Sequence, residues 1–155
     1  MEQDSMDREN LNLFMVNEVK VSYSYPNWIK RKVISSRDTY DLLLPIWDNI
    51  DYYESAKLVI LNRQNLILGV SNISQGSTGG TVVDPKIVFQ IALKTNAAAI
   101  IVAHNHPSMS LSPSNQDKLL TEKLKNAGLF LDLPLLDHVI LTSKSYFSFA
   151  DEGLL

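Results

Sequence analysis

No cysteine occurs in the 155-residue chain. Disulfides, thiolate-ligated zinc and iron–sulfur centres are therefore excluded, and any metal must be held by His, Asp or Glu. Zinc deamination is disfavoured for the same reason, because its P-C-x-x-C ligands cannot be supplied. Long apolar runs are also missing: none approaches the ~20 residues of a membrane span. The first residues, MEQDSMDREN, are acidic and polar rather than basic and then apolar, so no signal peptide or membrane association is expected and the expected location is cytoplasmic. Net positive charge is lacking as well. At −3 the chain has no overall attraction for a polyanion. Its one dense basic run, Lys30, Arg31 and Lys32 beside Trp28, could contact DNA locally, but three charges beside an edge strand serve equally to keep that edge solvated.

What remains is the composition of a globular domain, with 45% apolar and 20% charged residues, enough to bury one core in a chain of this length. The pattern reads as α/β, a mixed central sheet flanked by helices. Residues 1–50 form an N-terminal portion that packs on the core: a loose arm (1–15), an alternating strand (16–25) and a helix opened by Ser35, Ser36 and Asp38 that Pro45 should distort. Residues 51–155 form the main domain. Two strands, 55–61 and 66–73, are joined by the polar link Asn62-Arg63-Gln64-Asn65, which suits a hairpin. Gly76, Gly79 and Gly80 lie in a Ser/Thr-rich loop that lacks the lysine and the immediate helix of a phosphate cradle.

Asp84-Pro85 starts a helix over 85–95 that buries Ile87, Val88, Ile91 and Ala92. The continuous apolar run 98–103 reads as a central strand covered on both faces. A helix over 114–127 carries Leu119, Leu120 and Leu124 inward and ends at Gly128 as a C-cap, and strands follow at 135–142 and 146–149.

The buried run ends in His104-Asn105-His106, two of only three histidines in the chain. In an extended segment alternate side chains share a face, so both imidazoles can address one ion. A turn through Pro107 and Pro113 can return the Asp117 carboxylate as a third ligand. Two imidazoles and one carboxylate leave tetrahedral Zn²⁺ one open position, the mark of a catalytic rather than a structural site. Asp117 has a second reading, because Ser114-x-x-Asp117 has the form of a capping box. Glu54, at the mouth of a strand, reads on its own as a solvated residue. His138, beside Asp137 at the beginning of a strand far from the first pair, reads as structural, a reserve ligand at most.

His104-Asn105-His106-Pro107-Ser108, then Pro113-Ser114, then Asp117 after a ten-residue gap from His106 resembles the H-x-H-P…S-x-x-D signature of the JAB/MPN (JAMM) metalloprotease family. With Asp137-His138 and the ending Ser148-Phe149-Ala150-Asp151-Glu152-Gly153, the resemblance is to its RadC-like branch and spans about residues 54–155. It implies the JAB/MPN, cytidine deaminase-like, fold, with His104, His106 and Asp117 as zinc ligands, Glu54 as general base and Ser114 as a donor to a developing oxyanion. The implied activity is hydrolysis of a peptide or isopeptide bond. The alternative is a non-catalytic or DNA-associated module linked to DNA repair. Two departures stand out. Met109 occupies a place where RadC-like sequences commonly carry glycine, and residues 1–50 show no glycine hairpin between helices of the kind that binds DNA.

Overall fold

Apolar alternation in the first hairpin and unbroken apolarity in the third strand dictate a sheet with helices on both faces, and the computed structural model, which describes residues 31–76 and 83–155, has that arrangement. The expected arm 1–15, the strand 16–25, Trp28, Lys30, Gly79 and Gly80 lie outside the described residues. Helix α1 (Ser36–Leu43) begins at Ser35, whose side chain accepts from the Asp38 amide while Asp38 returns the bond to the Ser35 amide. Pro45 ends it as expected, converting the chain to a single 3₁₀ turn, Leu44–Ile46.

Strands β1 (Ser55–Leu61) and β2 (Ile67–Gln75) form an antiparallel hairpin. The Asn62 carboxamide closes its turn by accepting from the amides of Gln64 and Leu66, and Asn65 supplies the left-handed residue. Helix α2 (Pro85–Lys94) is capped by Asp84. Strand β3 (Ala99–Asn105) follows, then helix α3 (Asn115–Phe130), β4 (Leu135–Leu141) and the short β5 (Tyr146–Ser148). Among the described residues the sheet order is β2-β1-β3-β4-β5, mixed because β3 and β4 alone run parallel, joined through α3.

Strand parity divides the core in two. Ala56, Leu58, Ile60, Ile100 and Val102 pack against Val88, Phe89 and Ala92 of α2 and Leu124 of α3. Val59, Leu61, Ile101, Ala103, Val139 and Leu141 face Tyr40, Leu43 and Trp47 at the α1 end. Helix α1 and the turn after it thus contribute Tyr40, Leu43 and Trp47 to the second cluster. Two expected orientations change. Phe89 is buried where Ile87 was expected, and Leu119 is exposed while Leu124 and, partly, Leu120 point inward. Both helices are covered only along a narrow stripe, so residues at the margin of an apolar face turn to solvent.

Gly128 is not the C-cap of α3. The helix continues to Phe130, with Leu131 as cap and Asp132 in the left-handed conformation (φ 52°). The Leu133 amide bonds back to the Gly128 carbonyl at 2.9 Å, the long bond of a Schellman motif. Glycine is needed here for another reason: a Cβ at this position would collide with the Leu133 carbonyl oxygen.

β3 also extends through His104 and Asn105 rather than stopping at Ala103, and all seven of its residues are buried. Asn105 lies on the α1 side, and its side chain uses its full bonding capacity. Its Oδ1 accepts from the Ser55 amide and hydroxyl at 2.8 and 3.0 Å, and its Nδ2 donates to the carbonyls of Ile50 and Tyr53 at 2.6 and 2.9 Å. The segment that carries Glu54 into β1 is clamped to the histidine strand by this one carboxamide.

Two measurements test these assignments. Gly128→Ala is expected to lose about 1–3 kcal/mol in urea denaturation, the usual cost of overpacking; wild-type stability would contradict the close approach at Leu133. Asn105→Ala removes the acceptor of the part-buried Ser55 amide and the donor to the Ile50 and Tyr53 carbonyls, and is expected to lose roughly 1–3 kcal/mol and to speed hydrogen exchange at the Ser55 amide. Unaltered exchange there would mean that the clamp does not hold the loop.

Candidate metal centre

Strand alternation places His104 on the face covered by α2 and α3, and His106 follows one step beyond the end of β3. The His106 amide still bonds to the Leu141 carbonyl at 2.9 Å, so β4 holds the chain in register past the last strand residue. The loop then turns, with the Met109 amide bonded to the His106 carbonyl at 3.0 Å and Met109 at φ 63°. Met109 therefore stands in a left-handed conformation that favours glycine. Its sulfur accepts from the Ser143 hydroxyl at 3.6 Å, and its side chain is partly exposed at the rim.

The loop delivers Ser114 as N-cap of α3 with the expected capping box. Asp117 Oδ2 accepts from both the amide and the hydroxyl of Ser114 at 2.7 Å. Because a carboxylate only accepts, the Ser114 hydroxyl hydrogen points at Asp117. The other oxygen, Oδ1, is turned to His104 Nε2 at 3.2 Å.

His104, His106 and Asp117 are thus brought together as the sequence spacing suggested, and they form a group able to hold a metal ion. His104 Nε2 and His106 Nε2 are 3.0 Å apart, and His106 Nε2 is 3.8 Å from Asp117 Oδ2. Ligand atoms about 2.0–2.2 Å from a tetrahedral zinc ion lie about 3.4 Å from one another, so these spacings suit one ion. The chemistry of the donors fits as well. His106 Nδ1 faces the Ser110 carbonyl at 2.8 Å, an oxygen that can only accept, so Nδ1 carries the hydrogen and Nε2 of the neutral ring presents a lone pair. Asp117 adds a second kind of lone-pair donor. Burial by itself would raise the Asp117 carboxyl; a proton on His104, and then the Ser114 bonds, lower it.

Glu54 is not within this group. It precedes β1, and its carbonyl accepts from the Gly76 amide at 2.8 Å. By alternation it lies on the same side of the sheet as Ala56, the register partner of His104. The Asn105 clamp fixes this approach through Ser55 and Tyr53.

His138 lies where the sequence reading did not put it. It is fully buried on β4, alongside Val102 of β3, with Nε2 2.9 Å from His104 Nδ1. Its distance along the chain is cancelled by the parallel pairing of β3 and β4. Burial, and after it the neighbouring His104, push the His138 imidazole well below its ordinary value. Thr121 touches it from α3. Neither Thr121 nor Asn105 was singled out from the sequence. The signals were Thr121 one helical turn after Asp117, and Asn105 between two residues that share a face. Of the basic run, Arg31 and Lys32 are exposed, and Lys32 bridges to Leu66 at the hairpin turn. Among the described residues, no helix is long and apolar enough to cross a membrane.

Residues 33–154 match the RadC-like JAB domain. The match therefore takes in α1, which precedes the part on which the signature resemblance rested. A "UPF0758 protein" of Flavobacterium johnsoniae is 40% identical over 124 residues, which are 80% of this chain and 54% of that relative. One of Thermotoga maritima is 40% identical over 102 residues, 66% of this chain and 46% of the relative. One of Methanosarcina mazei is 38% identical over 126 residues, 81% and 55% respectively. The chain spans about half the length of the curated relatives it matches. The chain belongs to the RadC-like JAB domain family.

Proposed function

We propose that this domain is a zinc-dependent hydrolase of peptide or isopeptide bonds. The observation that carries the reading is the convergence of His104 Nε2, His106 Nε2 and the Asp117 carboxylate, the nitrogens 3.0 Å apart, His104 Nε2 3.2 Å from Oδ1 and His106 Nε2 3.8 Å from Oδ2, a set of donors suited to one cation. Zinc held there would act as a Lewis acid and make water a nucleophile near neutral pH.

The remaining chemistry falls to the chain. Glu54, carried in on the clamped segment before β1, takes the proton from the attacking water on its carboxylate and passes it to the leaving amine. Asp117 serves as an ionised carboxylate, the form to which the Ser114 amide and hydroxyl both donate. Ser114 orients Asp117 through its amide and hydroxyl. To donate to a developing oxyanion instead, the hydroxyl must release the carboxylate, and Asp117 then keeps the amide bond alone. Met109, partly exposed at the rim, offers the incoming chain an apolar contact.

A second reading, a non-catalytic or DNA-associated module, draws on Arg31 and Lys32, both exposed. It is weaker on charge, since the chain is net negative.

Protein purified without chelators is expected to carry close to one zinc per chain, and His106→Ala to bind it more weakly than the ~10–100-fold loss typical of a supporting residue. A native protein that neither retains nor rebinds zinc contradicts the metal reading. Glu54→Gln is expected to keep zinc affinity and to lose roughly 10²–10⁴-fold in turnover on a library of fluorogenic peptide and isopeptide substrates. Zinc binding without any turnover dependent on Glu54 would favour the non-catalytic reading.

A further inference from the structure

Behind the three converging atoms runs a chain of hydrogen bonds whose direction is decided at its far end. Thr121, one turn along α3 from Asp117, has its hydroxyl 2.6 Å from the Asp117 carbonyl. A carbonyl oxygen only accepts, so the Thr121 hydrogen is committed to it. Thr121 Oγ1 lies 2.7 Å from His138 Nδ1 and must then accept from it. His138 is fully buried and stacks on Phe149 with ring centroids 4.9 Å apart and planes 10° from parallel. A charge there would be desolvated, so the ring is a neutral imidazole with one donor and one acceptor. With its hydrogen on Nδ1, its bare Nε2 accepts from His104 Nδ1 at 2.9 Å. The remaining nitrogen of a neutral His104, Nε2, is left bare and faces His106 and Asp117.

We propose that Thr121 and His138 are a positioning pair that sets the tautomer and ring plane of His104, so that its metal-facing nitrogen is ready before any ion arrives. This rests on the metal reading above and adds the part played by two residues that touch no ion. The chain closes on itself: it leaves one ligand, His104, and ends on the backbone of another, Asp117. Movement of α3 relative to β3 and β4 therefore disturbs both ligands together. Orientation of a ligating histidine by a partner on its other nitrogen is worth ~10–100-fold in metal affinity.

The test combines a spectroscopic readout with a binding readout on the full chain. Long-range ¹H–¹⁵N spectra of histidine-labelled protein, metal-free and with one equivalent of zinc, are expected to show His138 with its hydrogen on Nδ1 in both states. His104 should carry a hydrogen on Nδ1 in both. Competition against a chromophoric chelator is expected to give ~10–100-fold weaker zinc binding for Thr121→Val, with Thr121→Ser close to wild type. Urea midpoints of the metal-free proteins separate this from a loss of fold. A His138 hydrogen on Nε2, or Thr121→Val with wild-type affinity, overturns the proposal while leaving the metal reading intact. Failure of the wild-type chain to bind zinc overturns both. If Thr121→Val does not fold, the wild-type tautomers decide alone.

Discussion

Two imidazole nitrogens 3.0 Å apart, with the two oxygens of one carboxylate 3.2 and 3.8 Å from them, mostly shielded from water, form an unstable arrangement unless something holds each ring and each oxygen in place. Their lone pairs repel, and a cation between them turns that repulsion into coordination. The supports are specific to each ligand. His106 is held by the Ser110 carbonyl, Asp117 by the Ser114 capping box, and His104 by His138. The capping box would stabilise a helix start anywhere. Here it also uses up one carboxylate oxygen and aims the other at His104.

The sheet supplies the rest. Because β3 is central and buried on both faces, its two last residues serve opposite sides. His104 faces α2 and α3 and enters the metal cluster, whereas Asn105 faces α1 and anchors residues 50–55. One strand end therefore fixes both the ligand set and the segment carrying Glu54. The parallel β3–β4 pair, the one parallel contact among the described residues, brings His138 behind His104. The α3 crossover it requires supplies Asp117 and Thr121.

Much of this was legible from local pattern. The two histidines at alternate positions, the aspartate at a helix start, the Asp84 and Ser35 caps, the proline break at Pro45 and the twice-covered strand all follow from short-range rules, and all are present. What was not legible depends on pairing between distant segments. His138 read as remote because 34 residues separate it from His104, and nothing in its own neighbourhood shows which strand lies beside it. Gly128 read as a cap because glycine is common there, yet the left-handed residue is Asp132 and the glycine admits the Leu133 carbonyl. Leu119 and Ile87 were assigned inward by period alone, and the width of the contact stripe decided otherwise.

The most direct test is X-ray absorption at the zinc edge of the zinc-loaded chain. The expected result is a four-coordinate shell at about 2.0–2.2 Å with the multiple scattering of two imidazoles and oxygen as the other donors. A shell of oxygens alone, or one imidazole only, would contradict a site built from His104, His106 and Asp117.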